Sequence, residues 1–234
     1  MPRKKIRIHY IDDSILVCEK PAGMPVQRDK SRDLDLETML RMDMAKGSSF
    51  DQAPYLSAVH RLDRPVGGLM VFARSRKAAA DLGRQIQEGN FEKNYQAILC
   101  GLPDRECDTL RDYLIRDGRT NTSKIADKST AGAKYAELDY ELIDSIETKE
   151  GPLSWVLITL HTGRHHQIRV QFASRKLGLY GDTKYNKTGQ GKGFTPLGLY
   201  ATRLSFDHPE TGERLTFKTE PKGRAFDLMD VEAY

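Results

Sequence analysis

The chain of 234 residues is 38% hydrophobic and 30% charged, enough for one domain or two small ones with a real core beneath a heavily charged surface. Its 37 basic and 33 acidic residues leave a net charge of +4, which permits a polyanionic partner without demanding one. No apolar run has the length of a membrane span, the basic start MPRKKIRIHYIDD lacks the apolar stretch of a signal peptide, and three cysteines without CxxC spacing argue against both a disulfide framework and a cysteine zinc site; a cytoplasmic protein with incidental thiols is expected.

Residues 6–20, IRIHYIDDSILVCEK, read as two short β segments about an Asp-Asp-Ser turn, closed by the Pro21-Ala22-Gly23 corner. DLETMLRMDMAK (35–46) places Leu36, Met39, Leu40 and Met44 near one face and predicts a helix. LMVFA (69–73) is an apolar β run directly after Gly67-Gly68. Ser75 then caps a helix running through about Glu88 and ended by Gly89. FEKNYQAIL (91–99) alternates as a strand and stops at Gly101-Leu102-Pro103, and the polar residues 116–134 predict a hairpin or extended loop. YAELDYELI and SWVLITLH read as paired strands about the turn at 147–152. GRHHQIRVQFASR (163–175) predicts an amphipathic helix opening after Thr162, with Ile168 and Phe172 four apart. NKTGQGKGF (186–194) is a basic, glycine-rich loop, and LYATRLSFDH with RLTFK makes a final hairpin about PETGE. Strands dominate without a regular βαβ rhythm, so the expected class is α+β in a single domain, 1–234, and a doubly wound parallel fold is disfavoured.

Four constellations bear on chemistry. HRLDRPVGG (60–68) sets Asp63 between Arg61 and Arg64. The plainer reading is a surface ion pair worth under about 1 kcal/mol. The alternative is a carboxylate held at a sheet edge by Pro65 and the glycine pair and kept ionised by a nearby guanidinium. In HTGRHHQIRVQFA (161–173) the histidines invite a metal, but Gly163 sets His161 on the strand side and no carboxylate or cysteine completes a shell. Arg164 and Arg169 present guanidinium groups from a first and a second helical turn towards a phosphate or carboxylate. Tyr95 in EKNYQAILCG is a strand tyrosine, ordinarily a packing residue. PRKK (2–5), the loop with Lys124 and Lys128, and the loop with Lys187 and Lys192 are each a solvated face and together a surface suited to tracking phosphates. NKTGQGKG matches neither GxxxxGK[ST] nor GxGxxG, so no nucleotide cofactor is expected.

Taken in order, IDDSILVCEKPAGMPV, VHRLDRPVGGLMVFARS, EKNYQAILCG and LHTGRHHQIRVQFASRKLGLYGDTKY resemble the successive motifs of RluA-type pseudouridine synthases, from about residue 8 to residue 218. The resemblance implies isomerisation of uridine to pseudouridine in structured RNA, ribosomal or transfer, without cofactor or metal. It also implies a bent, mixed but mostly antiparallel sheet with flanking helices and loops, and an active cleft across its middle. By the same resemblance Asp63 is the catalytic aspartate, Arg61 enters the RNA stack where the target base leaves, Tyr95 stacks on the uracil and aids proton removal, and Arg169 pairs with the catalytic carboxylate. Together with the basic segments above, the expected RNA contacts are Arg61, Arg164, His165, Lys124, Lys128, Lys187 and Lys192; Arg64 receives no role. Where many members carry Thr-Ser before the glycine of the first motif, this chain has Val66-Gly67. The motifs begin almost at Met1, so the small RNA-binding domain of many relatives is expected to be absent, with recognition left to the catalytic surface of a monomer.

Overall fold

The computed structural model describes residues 6–29, 31, 33–45, 54–188 and 197–230. In chain order the elements are β1 (Arg7–Ile11), β2 (Ile15–Lys20), α1 (Leu36–Met44), β3 (Ser57–Ala58), β4 (Gly67–Ala73), α2 (Arg76–Glu88), β5 (Glu92–Cys100), β6 (Cys107–Asp117), β7 (Thr122–Ala126), β8 (Lys134–Ile146), β9 (Leu153–Leu160), α3 (Gln167–Ser174), β10 (Leu199–Asp207), β11 (Arg214–Lys218) and α4 (Arg224–Asp230). The class is α+β. Two compact units emerge, one of residues 1–92 and 201–220, the other of residues 93–200 and 221–234. Among the described residues no helix is long and apolar enough to cross a membrane.

In the first unit β1 and β2 form the expected hairpin, its turn held by Asp12 Oδ1, which accepts the N–H groups of Ser14 and Ile15 at 2.8 Å. His208 Nδ1 accepts the N–H groups of Glu210 and Thr211, so its Nε2–H donates to Asp12 Oδ2 at 2.8 Å and latches this turn to the loop before β11. β2 pairs antiparallel with β4 from Ile15↔Ala73 to Lys20↔Gly68, β10 lies beyond β4, and β11 pairs on β10. β4 is buried along its whole length, which is why its sequence runs apolar without alternating. Ile15, Val17, Leu69, Val71 and Ala73 meet Ala78 and Leu82 of α2, with Phe91, Leu204 and Phe206 completing the cluster. Full burial of each large apolar side chain contributes about 1.5–3 kcal/mol.

The ends of α2 fall where its caps place them. Ser75 Oγ accepts the Ala78 N–H, and Gly89 closes the helix at φ 81°, a left-handed conformation that costs glycine nothing. Gln85, buried on the same helix, donates to Asp207 O and accepts the Asp207 N–H, tying α2 to the end of β10.

Gly68 has a stricter reason to be glycine. Its φ is 123°, and a Cβ there would lie 2.3 Å from the carbonyl oxygen and 2.5 Å from the nitrogen of Ala201 in β10. Gly68→Ala therefore combines backbone strain of about 1–3 kcal/mol with overpacking of about the same size. The urea midpoint is expected to fall accordingly; a loss under about 0.5 kcal/mol would show that β10 has room to withdraw.

In the second unit the order is β5-β9-β8-β6-β7, antiparallel at every step. The polar stretch at 116–134 is a hairpin, with Tyr113–Asp117 of β6 facing Thr122–Ala126 of β7. β6 itself was not announced by the sequence pattern. Its buried Leu110 and Leu114 stand four apart, a spacing that suits a helix face and a strand face equally.

Cross-strand partners share a face, so Tyr95, Ile158 and Tyr140 lie on one side of this sheet, together with Leu110, Leu114 and Ala136. α3 covers that side: Val170 packs with Leu114 and Ala136, the Phe172 and Tyr140 rings meet edge to face at 5.5 Å, and Gln171 Nε2 donates to Leu110 O. α4 covers the opposite side, where Ala225, Phe226 and Met229 meet Ile98, Cys100 and Leu153. Cys18 and Cys100 are buried thiols and Cys107 is exposed; burial pushes the Cys100 thiol up to about 11.

Candidate active site

The Asp63 loop belongs to the first unit and is bolted from two directions. Lys20, at the end of β2, is fully buried, and its ammonium donates to Pro21 O (3.1 Å), Met24 O (2.7 Å) and Arg64 O (3.1 Å). Charge-assisted bonds to three carbonyls offset part of the cost of burying a cation. The Gly23 N–H also donates to Arg64 O, while Arg64 Nε returns a bond to Gly23 O at 3.1 Å. The corner after β2 and the residue following Asp63 are thereby knitted together, and the Val66 N–H closes a turn onto Asp63 O at 3.0 Å.

Arg64, which received no role from the sequence, acquires one here. Its guanidinium binds Ser31 Oγ, forms an ion pair with Asp33 and lies 3.7 Å from Asp29. It is the strut between this loop and the acidic stretch before α1. Asp33 is held below the usual carboxylate range chiefly by the bond from Arg64. Asp63 itself is half-buried, and Arg61 is exposed.

In the second unit the segment before α3 departs from expectation. The predicted helix from Gly163 begins only at Gln167, because His166 adopts a left-handed φ of 53° and the turn ahead of it has its own partners. Gln167 Oε1 accepts from Thr162 Oγ1 and the Arg164 N–H, and its Nε2 donates to Glu137 O. Side chains satisfy the groups that a helix start would otherwise have used. Arg164 and His165 are therefore loop residues rather than a first helical turn, and Arg164 Nε is spent on Tyr135 O. Nor is the helix amphipathic: every residue from Gln167 to Phe172 is buried.

The histidines engage separate partners. His161 Nε2 lies 2.6 Å from Asp139 Oδ2, His165 Nδ1 2.8 Å from Ser123 Oγ, and His166 Nδ1 2.7 Å from Tyr185 OH. Burial raises the Asp139 carboxyl, but bonds from His161 and Thr109 outweigh it and the net shift is downward.

Arg169 is buried, and Asp182 Oδ2 and Oδ1 accept its Nε and Nη2 hydrogens at 2.8 Å each. Oδ1 also accepts the N–H groups of Lys184 and Tyr185. Burial would raise the Asp182 carboxyl; the guanidinium and the two backbone donors prevail, and its pKa lies below the ordinary value. Asp182 lies in GDTKY, and proximity of that motif to the helix was the only sequence signal for it.

Tyr95 sits at the centre of β5, 6% exposed, on the face covered by α3. Lys93, two residues earlier, shares that face and is also buried, and burial alone lowers its ammonium pKa. The i, i+2 spacing in KNY could have revealed it. The basic contacts disperse. Lys124 projects from β7 on the face opposite Tyr95, since its partner Ile115 alternates with Leu114. Lys128 is exposed in the following turn and Lys187 in the loop after Tyr185. Lys192 and the PRKK segment lie outside the described residues.

A family model described as RNA pseudouridylate synthase matches residues 14–174. Ribosomal large subunit pseudouridine synthase C of Pasteurella multocida is 31% identical over 214 residues, covering 89% of this chain and 62% of the relative. Ribosomal large subunit pseudouridine synthase D of Neisseria meningitidis is 31% identical over 234 residues, covering 96% of this chain and 60% of the relative. The chain thus spans about three fifths of the length of these curated relatives. Among solved structures, Human RNA Pseudouridylate Synthase Domain Containing 1 aligns with a TM-score of 0.73 at 24% identity, over 94% of this chain and 86% of that one. Human RNA Pseudouridylate Synthase Domain Containing 4 aligns with a TM-score of 0.74 at 22% identity, over 94% and 90%. The likeness to these two structures is one of fold.

Proposed function

The chain belongs to the RNA pseudouridylate synthase family, and we propose on that premise that it isomerises uridines in structured RNA to pseudouridine. Ribosomal RNA is the favoured substrate, because the similar curated proteins are named for the large ribosomal subunit. The observation that carries the reading is the family match over 14–174, which spans HRLD, KNY and HQIR in order.

The chemistry then assigns the roles. A uridine within folded RNA hides its glycosidic bond, so it must leave the stack at a cost of a few kcal/mol. Arg61, exposed beside the turn, fills the vacated space, and Tyr95 offers its ring to the base. The C1′–N1 bond breaks, a C1′–C5 bond forms, C5 loses its proton and N1 gains one. The exchange is redox-neutral and calls for no cofactor. Asp63 attacks C1′, attacks C6 or assists glycal formation, and each route needs an ionised carboxylate. By the family motif Arg169 is proposed as the cation that serves this carboxylate in the reaction; its guanidinium is bonded to Asp182.

RNA contacts are assigned to Arg61, Arg164, His165, Lys124, Lys128 and Lys187. Affinity is expected to fall with salt, the log–log slope steepening by about 0.7 for each single-strand phosphate contact. Neutralising Lys124 and Lys128 together should reduce the slope by about 1.4; a slope indifferent to both removes that hairpin from the interface. The direct test of activity is to map pseudouridine in RNA from cells with and without the gene. A position that reverts to uridine on deletion supports the reading, and an unchanged map contradicts it.

A further inference from the structure

One residue grips the backbone of Arg164 from both sides. Gln167 Oε1 accepts the Arg164 N–H at 3.0 Å, and the Gln167 N–H donates to Arg164 O at 3.1 Å. The Gln167 side chain is buried, and its amide can lie only one way round. A backbone N–H can only donate and a backbone carbonyl can only accept, so Oε1 faces Arg164 and Nε2 faces Glu137 O, to which it donates at 3.0 Å. Thr162 Oγ1 completes the frame: it donates to Gln167 Oε1 at 2.7 Å and accepts the Glu137 N–H at 2.9 Å.

Glu137 belongs to β8, so the frame refers a loop residue to the sheet. Arg164 itself is exposed, and its Nε donates at 2.8 Å to Tyr135 O, two residues before Glu137 on the same strand. Backbone and side chain of the arginine are thus both held to β8, and among the described residues no acceptor takes its Nη hydrogens. A guanidinium held by Nε presents those hydrogens in a fixed direction, which suits the oxygens of a phosphate. A long side chain fixed beforehand also loses less rotamer freedom on binding than a loose one.

We infer that Gln167 is a positioning residue for RNA binding through Arg164: it holds the arginine's backbone where the guanidinium reaches Tyr135 O and a phosphate together. The inference rests on the reading of the chain as an RNA-modifying enzyme with Arg164 at the RNA.

The test uses ribosomal RNA tritiated at uridine C5 and extracted from cells lacking the gene. Filter binding gives affinity and salt slope for wild type, Arg164→Met, Gln167→Leu and the double variant, with tritium release and thermal melts on the same preparations. Each single variant is expected to bind about tenfold more weakly, the scale of one charge-assisted bond, and to flatten the log–log salt slope by about 0.7. Because Gln167 acts through Arg164, the double variant should match the single ones rather than lose about a hundredfold and about 1.4 in slope. Thr162→Val breaks the frame but neither bond to Arg164, so it should lower Tm with affinity kept within about threefold. A Gln167→Leu that loses Tm but keeps affinity and slope overturns the inference. So do additive losses in the double variant, an Arg164→Met that binds as wild type does, or a Thr162→Val as weak as Gln167→Leu. The functional reading survives any of these while wild type releases tritium. A wild type releasing no more than Asp63→Asn overturns that reading and the inference with it. Should Gln167→Leu fail to fold, Gln167→Asn, polar but one methylene short of Arg164, supplies the same cycle.

Discussion

Asp63→Asn is expected to reduce pseudouridine formation by roughly 10⁴-fold or more, the scale on which loss of a reacting group is felt. RNA affinity should remain within about threefold of wild type. The carboxamide has nearly the size and shape of the carboxylate but no charge, and all three routes from uridine to pseudouridine need the charge. Binding, as proposed, draws on phosphate contacts of Arg and Lys side chains, which the substitution leaves in place. The loop should survive, because it is fixed by Lys20 and Arg64 through backbone carbonyls and through Asp33, not by the Asp63 side chain alone. Filter binding, tritium release and a thermal melt on one preparation suffice. Full activity in the variant would sink the proposed function, and loss of binding together with Tm would make Asp63 a structural residue.

The second large effect concerns stability and its pH dependence. Arg169→Met strands Asp182, whose side chain is fully buried, without its cation; breaking a buried pair by removing one partner costs about 3–5 kcal/mol. In the wild type the Asp182 pKa is depressed. Its contribution to stability is therefore present above the unfolded carboxyl value of about 3.9 and lost as pH falls through the lower folded value. In the variant burial is left to dominate and the folded pKa rises above 3.9. The sign reverses: the penalty is greatest at neutral pH and is relieved as acid protonates the carboxyl. Urea midpoints at pH 7.5 and pH 5 should show the variant gaining ground on the wild type at the lower pH. Adding Asp182→Leu should recover much of the loss. A variant that tracks the wild type at both pH values would mean that the backbone N–H groups of Lys184 and Tyr185 suffice to hold the charge.

The parts of the fold legible in the sequence share a cause. The β1–β2 hairpin, α2 with Ser75 and Gly89 at its ends, β4 and the β10–β11 hairpin each follow from residues within one segment, through alternation, capping and turn chemistry. Where the local signal was ambiguous, the reading strayed. Leu110 and Leu114 fit two periods, and Gly163 resembled a helix start although Gln167 had already claimed the neighbouring polar groups.

The sequence by itself determined the class, most of the strands and, through motifs in order, the family. From the same motifs Asp63, Tyr95 and Arg169 are proposed for its chemistry. Only the tertiary structure decided what holds them. Lys20 reaches Arg64 across 44 positions, Arg64 reaches Asp33 across 31, Tyr185 reaches Ser123 across 62, and Arg169 reaches Asp182 across 13. The physical reason is that a buried charge takes whichever partner the packed chain brings to it, at a separation no local pattern encodes.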